Sequence, residues 1–162
     1  AAYYATAKPA LNWLEGFPAD LVKSAEKNGF WRVAVHLRRG DGAQISLYFF
    51  LKSMDLLRKQ FSVGRTGKRP LFRVQTDDDS QAFISNKKVP EGFNRSDVII
   101  DGNKDTTLEL AFHRMVAADA LIMSRSALSM AAAFIGNQSI VHIPSSCWDR
   151  TALPHWTKLG CS

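Results

Sequence analysis

The chain has 162 residues, 46% hydrophobic and 22% charged, with a formal net charge of +6 and a pI near 9.6. That composition belongs to a globular domain and excludes collagen-like, coiled-coil and disordered chains. No run approaches the roughly 18 consecutive apolar residues of a transmembrane helix, and nothing reads as a cleavable signal peptide.

The chain opens on Ala1 rather than Met, which points to a processed or truncated product. Residues 1–75 carry 13 Lys and Arg against 5 Asp and Glu, whereas residues 76–162 carry 8 against 10. A basic pI suggests nucleic acid. The basic residues nevertheless form no run and do not interleave with aromatics, so no nucleic-acid partner is expected. Arg38 and Arg39 close a strand, and Arg65, Lys68 and Arg69 share a Gly-rich loop, a placement that suits a localised phosphate-bearing ligand. Cys147 and Cys161 are too few for a disulfide framework and lack zinc spacing. Two glycosylation sequons, Asn94-Arg95-Ser96 and Asn137-Gln138-Ser139, tilt the expected compartment toward the secretory lumen over the cytoplasm.

In chain order, a helix is expected around residues 19–27, with Pro18 in its first turn and Asn28-Gly29 as its stop. A strand follows over 31–37, with Val33, Val35 and Leu37 on one face. Residues 45–61 read as an apolar helix, then a loop holding Gly64, Gly67 and Pro70. Leu71 to Thr76 reads as a strand ending in Asp77-Asp78-Asp79, and Ser96 to Ile100 as another. Thr106-Thr107-Leu108-Glu109 fits a capping box opening a helix through Ala117. Ala120 to Met123 is a short strand, followed by Ser124-Arg125-Ser126 and an Ala-rich helix ended by Gly136 at residue 135. Ser139 to Ile143 is the last expected strand, halted by Pro144, and the tail from about 145 shows no clear period. Alternating strands and helices argue one α/β domain over residues 1–162, a parallel sheet with helices on both faces.

Ligands of such sheets bind outside the carboxyl ends of the strands. Three polar clusters occupy that position. In the first, His36 to Asp41, alternation turns His36 and Arg38 away from the Leu37 face, Gly40 permits a sharp turn, and Asp41 can hold an arginine fork. A guanidinium offers paired donors to a diphosphate and never loses its charge; a surface ion pair is the alternative. In the second, Thr76 to Asp79, Asp77 and Asp79 have the Asp-x-Asp spacing that holds a divalent cation against a nucleotide diphosphate. The same residues also suit hydrogen bonds to a ribose or base, or an acidic turn capping the next helix. In the third, Ser124 to Ser126, a helix N-terminus flanked by hydroxyls makes an anion cradle or, more plainly, an N-cap. His113, His142 and His155 have no partner at metal spacing and read as structural.

Together these strings resemble the fucosyltransferases, especially the α1,2-type with its α1,6 and protein O-fucosyltransferase relatives. Their hallmark is a strand ending His-x-Arg-Arg-Gly-Asp, here His36, Arg38, Arg39, Gly40 and Asp41. Next comes a strand leading to Ser-Asp-Asp, here Thr76-Asp77-Asp78, and then a Ser-rich helix start, here Ser124 to Ala131. The order agrees over roughly residues 31–144. Arg125 stands where the family often has Asn, and Met130 and Ala131 replace tryptophans.

The resemblance implies the C-terminal, nucleotide-sugar-binding lobe of a GT-B glycosyltransferase. It implies that Arg38 or Arg39, with Ser126 and Ser129, binds the diphosphate of GDP-fucose, and that Asp77 or Asp78 contacts the nucleoside. It further implies transfer of fucose to a glycan or glycoprotein hydroxyl by an inverting, metal-independent route with no cofactor, which counts against the Asp-x-Asp metal reading. Only 35 residues precede His36, so a first lobe, which in the family supplies much of the acceptor site, is expected elsewhere. A non-catalytic module that keeps the fold is the alternative.

Overall fold

The computed structural model describes residues 12–39, 45–62, 67–85, 90–144 and 153–160. Gly40, Asp41, Gly64, Arg65, Cys147 and Cys161 lie outside the described residues.

Helix α1 (Ala19–Asn28) follows Pro18 and stops where Gly29 takes φ +75°, its N–H donating to the Ala25 carbonyl. A positive φ strains any residue with a Cβ, so glycine is the residue that closes this helix. Strand β1 (Phe30–Leu37) leads to α2 (Leu47–Ser62), then β2 (Arg69–Thr76), the short α3 (Ser80–Ser85), and β3 (Val98–Asp101). Helix α4 (Leu108–Ala117), β4 (Ala120–Ile122), α5 (Ala127–Ile135), β5 (Ile140–Pro144) and β6 (Thr157–Leu159) complete the order.

The six strands form one sheet in the order β3-β2-β1-β4-β5-β6, and every pairing is parallel. This is the strand order of a doubly wound, Rossmann-like fold, with the reversal point between β1 and β4. Side-chain alternation divides the core between the two faces. Val33, Val35 and Leu37 of β1 and Phe72 and Val74 of β2 pack with Phe49, Phe50, Met54 and Leu57 of α2. On the opposite face Ala34, Leu71 and Leu121 pack with Leu21 of α1, Met115 of α4 and Met130 of α5. Apolar residues on both sides of each inner strand are what a sheet sandwiched between helices demands.

Several boundaries differ from the sequence expectation for physical reasons. Pro70 lies within β2 rather than in the preceding loop, paired with Trp31. It precedes the first rung to β3, Phe72↔Val98, so its missing N–H breaks no ladder bond on that side. Thr107 rather than Thr106 caps α4, accepting from the Leu110 N–H at 3.1 Å. Gly136 has φ −72°, so its role is steric. A Cβ there would lie 2.1 Å from the Gln138 amide, which is held by the Met115 and Ala132 carbonyls. Pro144 is the last residue of β5, and β6 lies in the tail where no strand is expected.

Candidate functional site

The described residues of the three polar clusters lie at the carboxyl edge of the sheet. His36 is the second-last residue of β1, half-buried, and its Nδ1 lies 3.3 Å from Oγ of Ser124, just past β4. The contact therefore spans the reversal point. Burial pushes the His36 pKa down to about 4; the Asp77 carboxylate pulls it up and Arg38 pushes it further down. The imidazole is neutral near pH 7, so the ring and the Ser124 hydroxyl each have one donor and one acceptor to share.

Arg38 is exposed and Arg39 half-buried immediately beyond β1. The Arg39 N–H donates to Asp77 Oδ1 at 2.6 Å, tying this segment to the end of β2. Asp78 donates its N–H to Thr76 Oγ1 at 3.2 Å, and its carbonyl accepts from the Asn103 N–H at 3.0 Å. Asp79 faces Lys104 at 2.5 Å, and that hydrogen bond raises the lysine pKa. Asp79 directly precedes α3, its carbonyl accepting from the Phe83 N–H, as an acidic turn before a helix would. Asp77 and Asp79 thus face different partners. Among the described residues no three His, Cys, Asp or Glu side chains converge as metal ligands.

Ser124, Ser126 and Ser129 form a folded knot at the start of α5. Ser126 is the N-cap, its Oγ accepting from the Leu128 N–H at 3.2 Å. Ser129 is fully buried, and its hydroxyl lies 3.3 Å from the Ser124 carbonyl and 3.2 Å from that of Ser126. Ser129 therefore shapes the turn from within, and Ser124 and Ser126 are buried beside it.

A cleft of about 290 Å³ opens beside this edge. Its floor is His36, Gln75, Thr76 and Asp77; its far wall is Asn103 and Thr106 to Leu108, with Ala111 and Leu128 on the helix side. Leu108 is 71% exposed, an apolar side chain left in water at the start of α4. Arg38, Arg39 and Ser126 are not among the lining residues; Arg39 and Ser126 connect to it through Asp77 and Leu128. A larger hollow of about 630 Å³ lies against Ile84, Pro90 to Arg95 and Ile100, with no residue of the three clusters lining it.

Sequence reasoning did not find the cleft's far wall, which comes from the β3–α4 connection. Nor did it find the charge cluster beneath the floor. Asp101 accepts from Arg73 at 2.8 Å through both oxygens, from Gln75 at 2.9 Å and from Arg114 at 3.1 Å. Arg73 also donates to the carbonyls of Trp13, at 2.9 Å, and Glu15. The available signal was an arginine inside the apolar run Leu71-Phe72-Arg73-Val74, since a buried sheet tolerates a charge only with a partner. No family model matches the chain, and no curated protein or solved structure matches it.

Proposed function

We propose that this edge binds a nucleotide sugar and that the chain is the donor-binding lobe of a glycosyltransferase resembling the fucosyltransferases. The observation that carries the reading is the His36–Ser124 contact. It brings the His-x-Arg-Arg strand end and the Ser-rich helix start to one point beside a cleft of nucleoside size. The diphosphate of GDP-fucose would lie over the Arg38-Arg39 segment and the Ser124–Ser126 turn, and the nucleoside in the cleft between Thr76 and Leu108.

In this account an acceptor hydroxyl attacks the anomeric carbon of fucose as the bond to the diphosphate breaks. Negative charge grows on the departing phosphate oxygen, where Arg38 and Arg39 neutralise it. Guanidinium groups perform that task without a metal, because their charge is permanent and their donors are paired. The acceptor hydroxyl gives its proton to a general base that, like much of the acceptor site, would come from a first lobe.

Calorimetric titration with GDP, using UDP and ADP as controls, tests the reading. Selective GDP binding that Arg39→Ala removes supports it, and equal binding by wild type and variant refutes the arginine clamp. Ser126 serving as a plain N-cap fits a non-catalytic module equally well. Fucose transfer, assayed after a first lobe is supplied, separates the two.

A further inference from the structure

The segments expected to act on a diphosphate hang from different strands. Arg38 and Arg39 follow β1, and Asp77 follows β2. The parallel ladder between these strands runs to Leu37↔Thr76 and stops. Beyond that last rung the Arg39 N–H still has an acceptor, Asp77 Oδ1 at 2.6 Å. A side-chain carboxylate has taken the place of the next backbone carbonyl. Such a charge-assisted bond is shorter and stronger than a neutral one.

A carboxylate at the lip of an anion site also carries a cost, because it repels phosphate. Its presence there is explained if it acts on the protein rather than on the ligand. From this geometry we infer that Asp77 is a positioning residue, a latch on the Arg39 backbone that sets the direction in which Arg38 and Arg39 leave the sheet. The inference rests on the reading of this edge as a diphosphate site, and it moves Asp77 from nucleoside contact to control of the phosphate-binding arginines. Thr76, Asn103 and Thr107, which line the same cleft, are left to face the nucleoside.

The test uses Asp77→Ala, Asp77→Asn, inorganic pyrophosphate and GDP. A latch on the arginines affects both ligands alike, so Asp77→Ala should weaken pyrophosphate and GDP by a similar factor, roughly tenfold. Asp77→Asn keeps an Oδ1 acceptor and should bind both within about threefold of wild type, which also guards against a loss caused by misfolding. Hydrogen exchange at the Arg39 amide gives a readout that needs no ligand. It should be slow in wild type and Asp77→Asn, and fast in Asp77→Ala.

If Asp77→Ala loses GDP affinity but keeps pyrophosphate affinity, the carboxylate reads the nucleoside and the latch is wrong. Equal losses in both variants with the Arg39 amide still protected also overturn it. If wild type binds neither ligand, the donor-lobe reading fails. The exchange result then decides the latch alone, and an Arg39 amide indifferent to Asp77→Ala rejects it.

Discussion

The Nδ1 of His36 and the Oγ of Ser124 lie 3.3 Å apart, joining the ends of β1 and β4 where the strand order reverses. Residues 88 positions apart in the chain are thereby held at one point. Removing the hydroxyl with Ser124→Ala leaves a half-buried imidazole without this partner. We expect GDP affinity to fall roughly tenfold, the worth of one such hydrogen bond, with the free energy of unfolding lowered by less than about 1.5 kcal/mol. Calorimetry and urea denaturation measure the two effects separately.

The two histidines with lowered pKa values make stability depend on pH. Burial holds both His36 and His142 near 4 in the folded chain, against 6.5 ordinarily. Well above pH 6.5 both are neutral in either state, so neither contributes a slope. As pH falls from 6.5 toward 4 the unfolded chain takes up protons that the folded chain refuses, and stability drops. Each histidine adds up to about 1.4 kcal/mol per pH unit in that window, and the loss levels off below it. His142→Leu should lower the slope of unfolding free energy between pH 6 and 4.5 by up to about 1.4 kcal/mol per pH unit; an unchanged slope would contradict the assignment.

Asp101 holds Arg73, Arg114 and Gln75 together beneath the cleft floor. Asp101→Ala would leave two arginines buried without their counter-ion, a loss of about 3–5 kcal/mol. Because Arg73 also holds the Trp13 and Glu15 carbonyls, amide exchange over residues 13–17 should accelerate in the same variant. Replacing all three charges, Arg73→Met and Arg114→Met with Asp101→Leu, removes the partners together and should cost less than Asp101→Ala alone.

Leu108 stands 71% exposed at the mouth of the cleft. It contributes little to folding, so the uncharged Leu108→Ser should leave the free energy of unfolding within about 0.5 kcal/mol of wild type. A nucleoside in the cleft would cover this side chain. The variant should therefore weaken GDP several-fold while leaving pyrophosphate affinity unchanged, whereas Asp77→Ala should weaken both.

The elements were legible in the sequence wherever a period or a stop signal was local. Val33, Val35 and Leu37 alternate onto one face, and Gly29 closes α1 as a glycine at positive φ should. The parallel, helix-covered sheet followed from the alternation of strands with helices along the chain. Strand β6 was not legible, because Thr157-Lys158-Leu159 is three residues long with two of them exposed. The pairing of β3 with β2 was equally hidden, and with it the delivery of Asn103 and Thr107 to the cleft. Register between strands is a long-range property that no local pattern encodes. Ser129 was grouped with the ligand-facing serines, yet its burial and its two backbone carbonyl partners depend on how α5 packs on the sheet.

The most direct measurement is a map of backbone amide shifts on titrating the chain with GDP. The account predicts concerted shifts at His36, Arg39, Asp77, Thr107, Leu108, Ser124 and Ser126, with one binding constant fitting all of them. Shifts centred on Ile84 and residues 90–95, or none at this edge under saturating GDP, would contradict it.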